Sequence, residues 1–289
     1  MSKTQFSHFI GIDQTGALKA NQKDPRPLKC CLLRSLARSH SKSEQKKWSL
    51  SLFSLSKINE TTLKAAIESQ SSPHPIQKTA IVIDCVSGLP KHQLQSNLEF
   101  YELLKEAAAF KAKKSFGRDT ASLFFKKVLQ DFYGIKSTEN KYPKRIVEEK
   151  IKANSVFQTH PFQKNIQTGT FRIWKELALS SQDSQWFSFW PHTDHSDTVF
   201  HFFEGYPSYY WKILLNQKNR KKEKLKSLIQ TFDSSIEISK KWYGRFQDAD
   251  YCDAVVLAIA GKVFLKNGVP KPALTDLIEG SILGVDLKS

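Results

Sequence analysis

The chain is poor in cysteine, with four residues in 289, and no two of them form a C-x-x-C pair. A zinc ribbon closes its tetrahedral thiolate site with such pairs, so that class is disfavoured. Cys30, Cys31, Cys85 and Cys252 all lie in or beside apolar runs, as reduced buried thiols do, and a cytosolic (cytoplasmic) setting is expected. No apolar run approaches the roughly 18–20 residues that a membrane span needs. Phe9–Ile12 is too short for a secretory signal and runs directly into Asp13. The G-x-x-x-x-G-K-[ST] loop and the G-x-G-x-x-G turn are missing as well, and without their phosphate cradles the P-loop and dinucleotide readings fail. The lack of Gly-rich turns also weighs against kinase-like phosphoryl transfer. No internal repeat is evident.

Acidic residues are scarce too. Against 44 Lys and Arg stand 28 Asp and Glu, a formal charge of +16. That excess favours a polyanionic partner, most simply DNA or RNA, over an acidic small molecule; the same charge suits a membrane surface, but without a spanning run no membrane partner is expected. With 40% hydrophobic and 12% aromatic residues, disorder throughout is excluded. The length admits one decorated domain or two small ones.

What is present begins with an apolar strand over 8–13 ending in Asp13, followed by a turn at Gln14-Thr15-Gly16. A second apolar run covers 29–36, and Trp48–Leu55 alternates as a half-buried strand does. The polar stretch from Arg38 to Lys47 suits a hairpin connection. Asn59-Glu60-Thr61-Thr62 reads as a helix start, with Leu63, Ala66 and Ile67 at helical spacing. Thr79–Val86 is continuously apolar, as a strand covered on both faces is. From Lys91 to Asp197 the rhythm changes. Helices are expected over Leu98–Lys114, Asp119–Phe132, Tyr142–Ala153 and Phe171–Leu179, then a loop-like stretch over Ser180–Asp197. A strand follows at Thr198–Glu204, helices at Ser208–Leu215 and Lys221–Phe232, and a last helix over Asp250–Leu265, stopped by Asn267-Gly268. The expected fold is therefore α/β, with the element order of the ribonuclease H-like fold: a mixed β-sheet flanked by helices, with a helical insertion between the fourth and fifth strands. The corresponding parts are 1–90, 91–197 and 198–289.

Carboxylates recur where the apolar runs begin or end: Asp13, Asp84, Glu204, and the pair Asp250 and Asp253. A carboxylate at the end of a buried element loses hydration and needs a partner. A divalent cation is one such partner. In that fold Asp13 and Asp84 would end neighbouring central strands and face one crevice, where open sheets bind ligands. Asp250 and Asp253, at i and i+3, share a helix face that can point there too. Oxygen-only donors suit Mg²⁺ or Mn²⁺, and two such ions can activate a water and stabilise a leaving oxygen. Each acid also has a plainer role: a turn residue for Asp13 and Asp84, helix-dipole pairing for Asp250 and Asp253, a turn anchor for Glu204.

Gly11-Ile12-Asp13, Ile83-Asp84-x-x-x-Gly88-Leu89-Pro90, Glu204-Gly205-Tyr206-Pro207, Asp250-x-x-Asp253-Ala254 and Glu279-Gly280-Ser281-Ile282 occur in this order. The ordered set resembles the domain-of-unknown-function four-two-nine family, described as predicted nucleases of the ribonuclease H fold, over nearly the whole chain. It is also similar to the Holliday-junction resolvase branch of that superfamily. The resemblance implies a metal-dependent hydrolase, a nuclease cutting phosphodiester bonds by a two-metal mechanism. It implies Asp13, Asp84, Asp250 and Asp253 as catalytic metal ligands and Glu204 as a fifth ligand. Two departures are local: Gln14 stands where a Gly usually follows the first Asp, and Ser281 where an aromatic is common. The alternative from another class is a nucleic-acid-binding or regulatory protein that keeps the fold without turnover.

Two basic groups, Lys218, Arg220, Lys221, Lys222 and Lys224, and Lys113, Lys114 and Arg118, are candidates for phosphate contacts. Each is equally readable as a solvated helix face. Phe202-Phe203, Tyr206 and Tyr209-Tyr210-Trp211 are read as core rather than as base-stacking platforms. The run from His192 to Asp197 clusters His and Asp but lacks the strand–loop spacing of a metallohydrolase.

Overall fold

The structure is a computed structural model that describes residues 5–14, 26–36, 47–70, 76, 78–90, 99–111, 118–135, 142–158, 165–181, 185–192, 197–272 and 279–286. Its strands are β1 (His8–Asp13), β2 (Leu28–Leu36), β3 (Lys47–Leu55), β4 (Thr79–Ile83), β5 (Phe187–Trp190), β6 (Phe200–Glu204) and β7 (Ile236–Ile238). Its helices are α1 (Glu60–Gln70), α2 (Phe100–Ala109), α3 (Arg118–Tyr133), α4 (Ile146–Ile151), α5 (Asn165–Ser180), α6 (Pro207–Ile213), α7 (Leu225–Phe232) and α8 (Ala249–Phe264). A 3-10 segment, Lys240–Gln247, leads into α8.

The strands form one seven-stranded sheet in the order β5-β6-β4-β1-β2-β3-β7. β2 runs antiparallel to both β1 and β3. The pairs β1–β4, β4–β6, β5–β6 and β3–β7 are parallel. The sheet is mixed, and helices cover both faces. Every residue of β1, β4 and β6 is buried, which is why these stretches read as continuous apolar runs rather than alternating ones.

The two faces have separate cores. Ile10, Ile12, Leu32, Ile81, Ile83 and Phe202 pack with Leu63 of α1, Leu104 of α2, Phe124 of α3 and Trp174 of α5. Phe9, Cys31, Leu33, Leu50, Val82 and Phe203 pack with Trp211 of α6, Ile229 of α7 and Val255 and Ile259 of α8. The alternation Phe9/Ile10 and Val82/Ile83 is the two-residue period of a strand dividing its side chains between two layers. Helices α2, α3 and α5 of the 91–197 stretch therefore cover one face together with α1, whereas α4 packs through Val147 with the other core.

The sequence missed two strands. Phe187–Trp190 was expected in a loop but forms β5, buried at every position on the sheet edge. Ile236–Ile238 forms β7 on the opposite edge. At four and three residues, both are too short to show a period. β4 ends at Ile83, short of the expected Val86, because the Cys85 amide turns back to donate to the Ile83 carbonyl at 2.9 Å. Helix α5 begins before the expected Phe171, at Asn165.

Candidate functional site

The site is assembled by the ends of β1, β4 and β6 and the start of α8. Asp13 is the last residue of β1, and the Asp84 amide donates to the Ile12 carbonyl at 3.0 Å. The two carboxylates therefore leave the carboxyl ends of adjacent parallel strands in the middle of the sheet. α8 lies directly on β1 there. A Cβ built on Gly11 would stand 1.9 Å from the Ala254 carbonyl oxygen and 2.5 Å from the Ala258 nitrogen, so bare backbone meets backbone there. Because Gly11 has no side chain, the first turn of α8 reaches the end of β1, and Asp253 arrives beside Asp13. Asp248 caps this helix, its Oδ1 accepting from the Asp250 amide at 3.0 Å.

Electrostatics record the convergence. Asp13 is 6% exposed, and burial, then Asp84, Asp253 and Asp250, hold its carboxyl well above the usual carboxylate range, with Arg220 opposing. Asp84 is pushed up to about 7 by burial and by Asp253 and Glu204, against the pull of Arg220 and a hydrogen bond from Gln14. Asp253 is raised by burial and by Asp250, and opposed by Arg220 and the Trp211 hydrogen bond. Asp250 is half-buried at the rim; burial and Asp248 raise it, while Lys29, Arg26 and Lys222 lower it. Four acids expected from sequence thus fall within one another's fields.

They are not gathered into a finished cage. Among the described residues, no three His, Cys, Asp or Glu side chains stand close enough to hold a metal ion as they are. Arg220 takes Asp253 Oδ2, and the buried Trp211 indole donates to Oδ1 at 2.7 Å. Glu204, expected as a fifth ligand, has a carboxylate already filled. Arg145 donates to it at 2.7 and 2.5 Å, and the amide and hydroxyl of Ser87 at 2.7 and 2.6 Å. Arg145 is itself 1% exposed and shares a second ion pair with Glu148 at 3.0 Å. Glu279 accepts from the Ile146 amide at 2.9 Å. Glu204 thus ties the start of α4 to the β4 turn and supports the acids from behind.

Several contributors went unnoticed in the sequence. Gln14 is buried, packs against Gly169 of α5, and leaves its Oε1 without a hydrogen-bond donor. Its amide nitrogen donates to Asp84, so Oε1 is turned toward Gly169 and Gln14 serves to position that carboxylate; its place directly after Asp13 was the only signal. Arg145 lies in a stretch that reads as an ordinary helix, with no signal of its role. Ser208 joins Arg220 at the pocket mouth.

Of the basic candidates, Lys218, Arg220, Lys221 and Lys224 are exposed and Lys222 is partly so. The helix expected over Lys221–Phe232 is broken in two: a 3-10 turn, Lys222–Lys224, and then α7. Lys222 and Arg220 both act electrostatically on Asp253, so this run borders the acids. Lys113 and Lys114 lie outside the described residues, as does the side chain of Arg118, which opens α3. Phe202, Phe203, Tyr210 and Trp211 are core. His192 stacks on Phe100 at 4.6 Å and meets the Ser87 carbonyl at 2.5 Å, and 193–196 lie outside the described residues. All four thiols are free, and burial pushes each pKa up, as inert structural cysteines require. No family model, curated protein or solved structure matches this chain.

Proposed function

We propose that the chain is a divalent-metal-dependent nuclease on a ribonuclease H-like sheet, hydrolysing phosphodiester bonds of DNA or RNA. The observation that carries this reading is the meeting of Asp13, Asp84 and Asp253, distant in sequence, at the carboxyl ends of β1 and β4 beside the start of α8, where burial and neighbouring acids raise all three carboxyls against the opposing charge of Arg220. The central order β3-β2-β1-β4-β6, with β2 antiparallel, supports the fold name, as does the motif resemblance to the four-two-nine family.

The donor chemistry fits Mg²⁺ or Mn²⁺. It is oxygen throughout, from the carboxylates of Asp13, Asp84, Asp253 and Asp250. Asp13, Asp84 and Asp253 would hold the ion, with Asp250 at the rim. When bound, it supplies Lewis acidity and a water of lowered pKa. The chain's own part is positional. Trp211 fixes one oxygen of Asp253, and the Glu204–Arg145 pair immobilises the β4 turn behind Asp84. Lys218, Lys221, Lys222 and Lys224 present positive charge to a polyanion at the pocket mouth.

The test is cleavage of end-labelled DNA and RNA with and without Mn²⁺ or Mg²⁺. Wild type should cut only with the ion; Asp13→Asn should abolish cutting while nucleic-acid binding persists. The pairing of Arg220 with Asp253 favours a second reading, a nucleic-acid-binding protein without turnover. Binding without cleavage, together with no calorimetric signal for divalent ions, would establish that alternative.

A further inference from the structure

We propose that Arg220 is the resident counter-cation of the acidic pocket: it holds Asp253 until a divalent ion takes that carboxylate, and the released guanidinium then grips a phosphate of the nucleic acid. The inference rests on the metal-dependent reading above and assigns that site a built-in exchange between two cations.

The two oxygens of Asp253 have unlike partners. Oδ1 is bonded to the indole of Trp211, which is 0% exposed. Oδ2 is bonded to Arg220, whose side chain is 42% exposed. The buried partner is locked by packing, and the exposed one is free to leave. Among the described residues, the other terminal nitrogen of Arg220 donates to the Ser208 hydroxyl, a neutral acceptor that water can replace at little cost. Arg220 belongs to the segment between α6 and α7, where Lys218 and Lys221 are exposed on either side. It is an arm on the surface reaching into the pocket.

Its charge is felt beyond its hydrogen bonds. Arg220 opposes the upward shifts of Asp13 and Asp84 as well as of Asp253. Arg220 is the cation that acts on all three carboxylates, with Lys222 adding to it at Asp253, and two charges on one small ion placed among them are the better match. The planar fork of a guanidinium pairs equally well with a carboxylate or with two phosphate oxygens. Leaving Asp253 for a phosphate therefore exchanges like for like, and ion and nucleic acid become mutually reinforcing ligands.

The experiment titrates Mn²⁺ into the free protein, followed by calorimetry and by the electron paramagnetic resonance of unbound Mn²⁺. Wild type, Arg220→Gln and Arg220→Lys are compared, with circular dichroism confirming that each is folded. Removing the competing charge should tighten Mn²⁺ binding in Arg220→Gln by roughly tenfold, about the effect of a unit charge at close range in a partly solvated site. Arg220→Lys should fall between the two. A single-stranded oligonucleotide is then bound with Ca²⁺ present or absent. Arg220→Gln should weaken binding several-fold with Ca²⁺ and leave it unchanged without, a dependence that a merely structural arginine does not produce. Mn²⁺ binding to Arg220→Gln but not to wild type also supports exchange, with the arm as a complete block. Equal or weaker Mn²⁺ binding by Arg220→Gln, with wild type still binding, overturns the exchange and leaves the metal reading intact. No Mn²⁺ binding by either protein overturns both.

Discussion

Asp13 is buried among other carboxylates, and the upward shift this causes has a consequence for stability with a definite sign. A carboxylate whose pKa rises on folding binds more protons folded than unfolded, so its contribution favours the fold at low pH and is lost as pH climbs through the folded pKa. For Asp13 and Asp84 that loss begins near the ordinary value of about 4 and, for Asp84, is complete above about 7. Asp13→Asn removes one charge from the repelling group and should raise the melting temperature at pH 8 by at least ~2–4 °C, the shift that about 1 kcal/mol produces in a domain of some 150–250 residues. At pH 4 the same substitution should change little. An Asn variant that melts at or below wild type at pH 8 removes the repulsion account. Asp13, Asp84 and Asp253 were legible because each interrupts or borders an apolar run. The partner of Glu204 was not. Arg145 lies 59 residues away in sequence, in a stretch whose polar pattern fits an exposed helix equally well. Only the fold reveals that two carboxylates surround it. Removing one member of such a buried pair costs about 3–5 kcal/mol, which is why Glu204 reads better as a brace than as a ligand.

At the scale of elements, the contact that places the site is α8 on β1 through Gly11. Strand and helix meet there without a side chain between them, and the helix is buried on all sides from Tyr251 to Gly261. A methyl group at Gly11 has no flexible neighbour to push aside, since the nearest atoms are backbone. Gly11→Ala should therefore destabilise by about 1–3 kcal/mol or more, as overpacking does, read from urea denaturation. Gly244, with nothing within 4 Å of an added Cβ, is the internal control: Gly244→Ala should stay within ~0.5 kcal/mol of wild type. Equal effects at both positions sink the close-approach explanation. The long apolar elements β1, β4, β6 and α8 were readable because burial on all sides leaves an unbroken run. β5 and β7 were not, because an edge strand of four or three residues carries no period. The basic run showed its charge plainly, but not that a 3-10 turn would interrupt it.

For the whole molecule, +16 is a large imbalance, and part of it gathers around the start of α8. Lys29 lies 4.9 Å from the Tyr251 ring centroid and 4.0 Å from Asp248. Arg245 donates to the Tyr251 hydroxyl at 3.0 Å, and Lys226 lies 4.0 Å over Tyr243 of the 3-10 segment. With Lys218, Lys221 and Lys224 exposed beside them, positive side chains border a pocket that is itself acidic. Under the proposed nuclease reading the division has a use: charge at the rim would attract the backbone, while the negative interior would keep the phosphate off until a cation bridges the two. Among the described residues, no helix is long and apolar enough to cross a membrane. If the basic rim meets a nucleic-acid backbone, about five neutralised phosphates give a slope of roughly −4.5 in log K against log salt, and affinity falls by about 10²–10³-fold between 50 and 200 mM salt. The double substitution Lys221→Glu and Lys224→Glu should weaken binding to all sequences alike and flatten that slope by about 2 or more. Fluorescence anisotropy of labelled DNA and RNA across a salt series measures both. A slope untouched by the substitutions would make the lysine run a solvated face, and the polyanion would have to enter the pocket from another side.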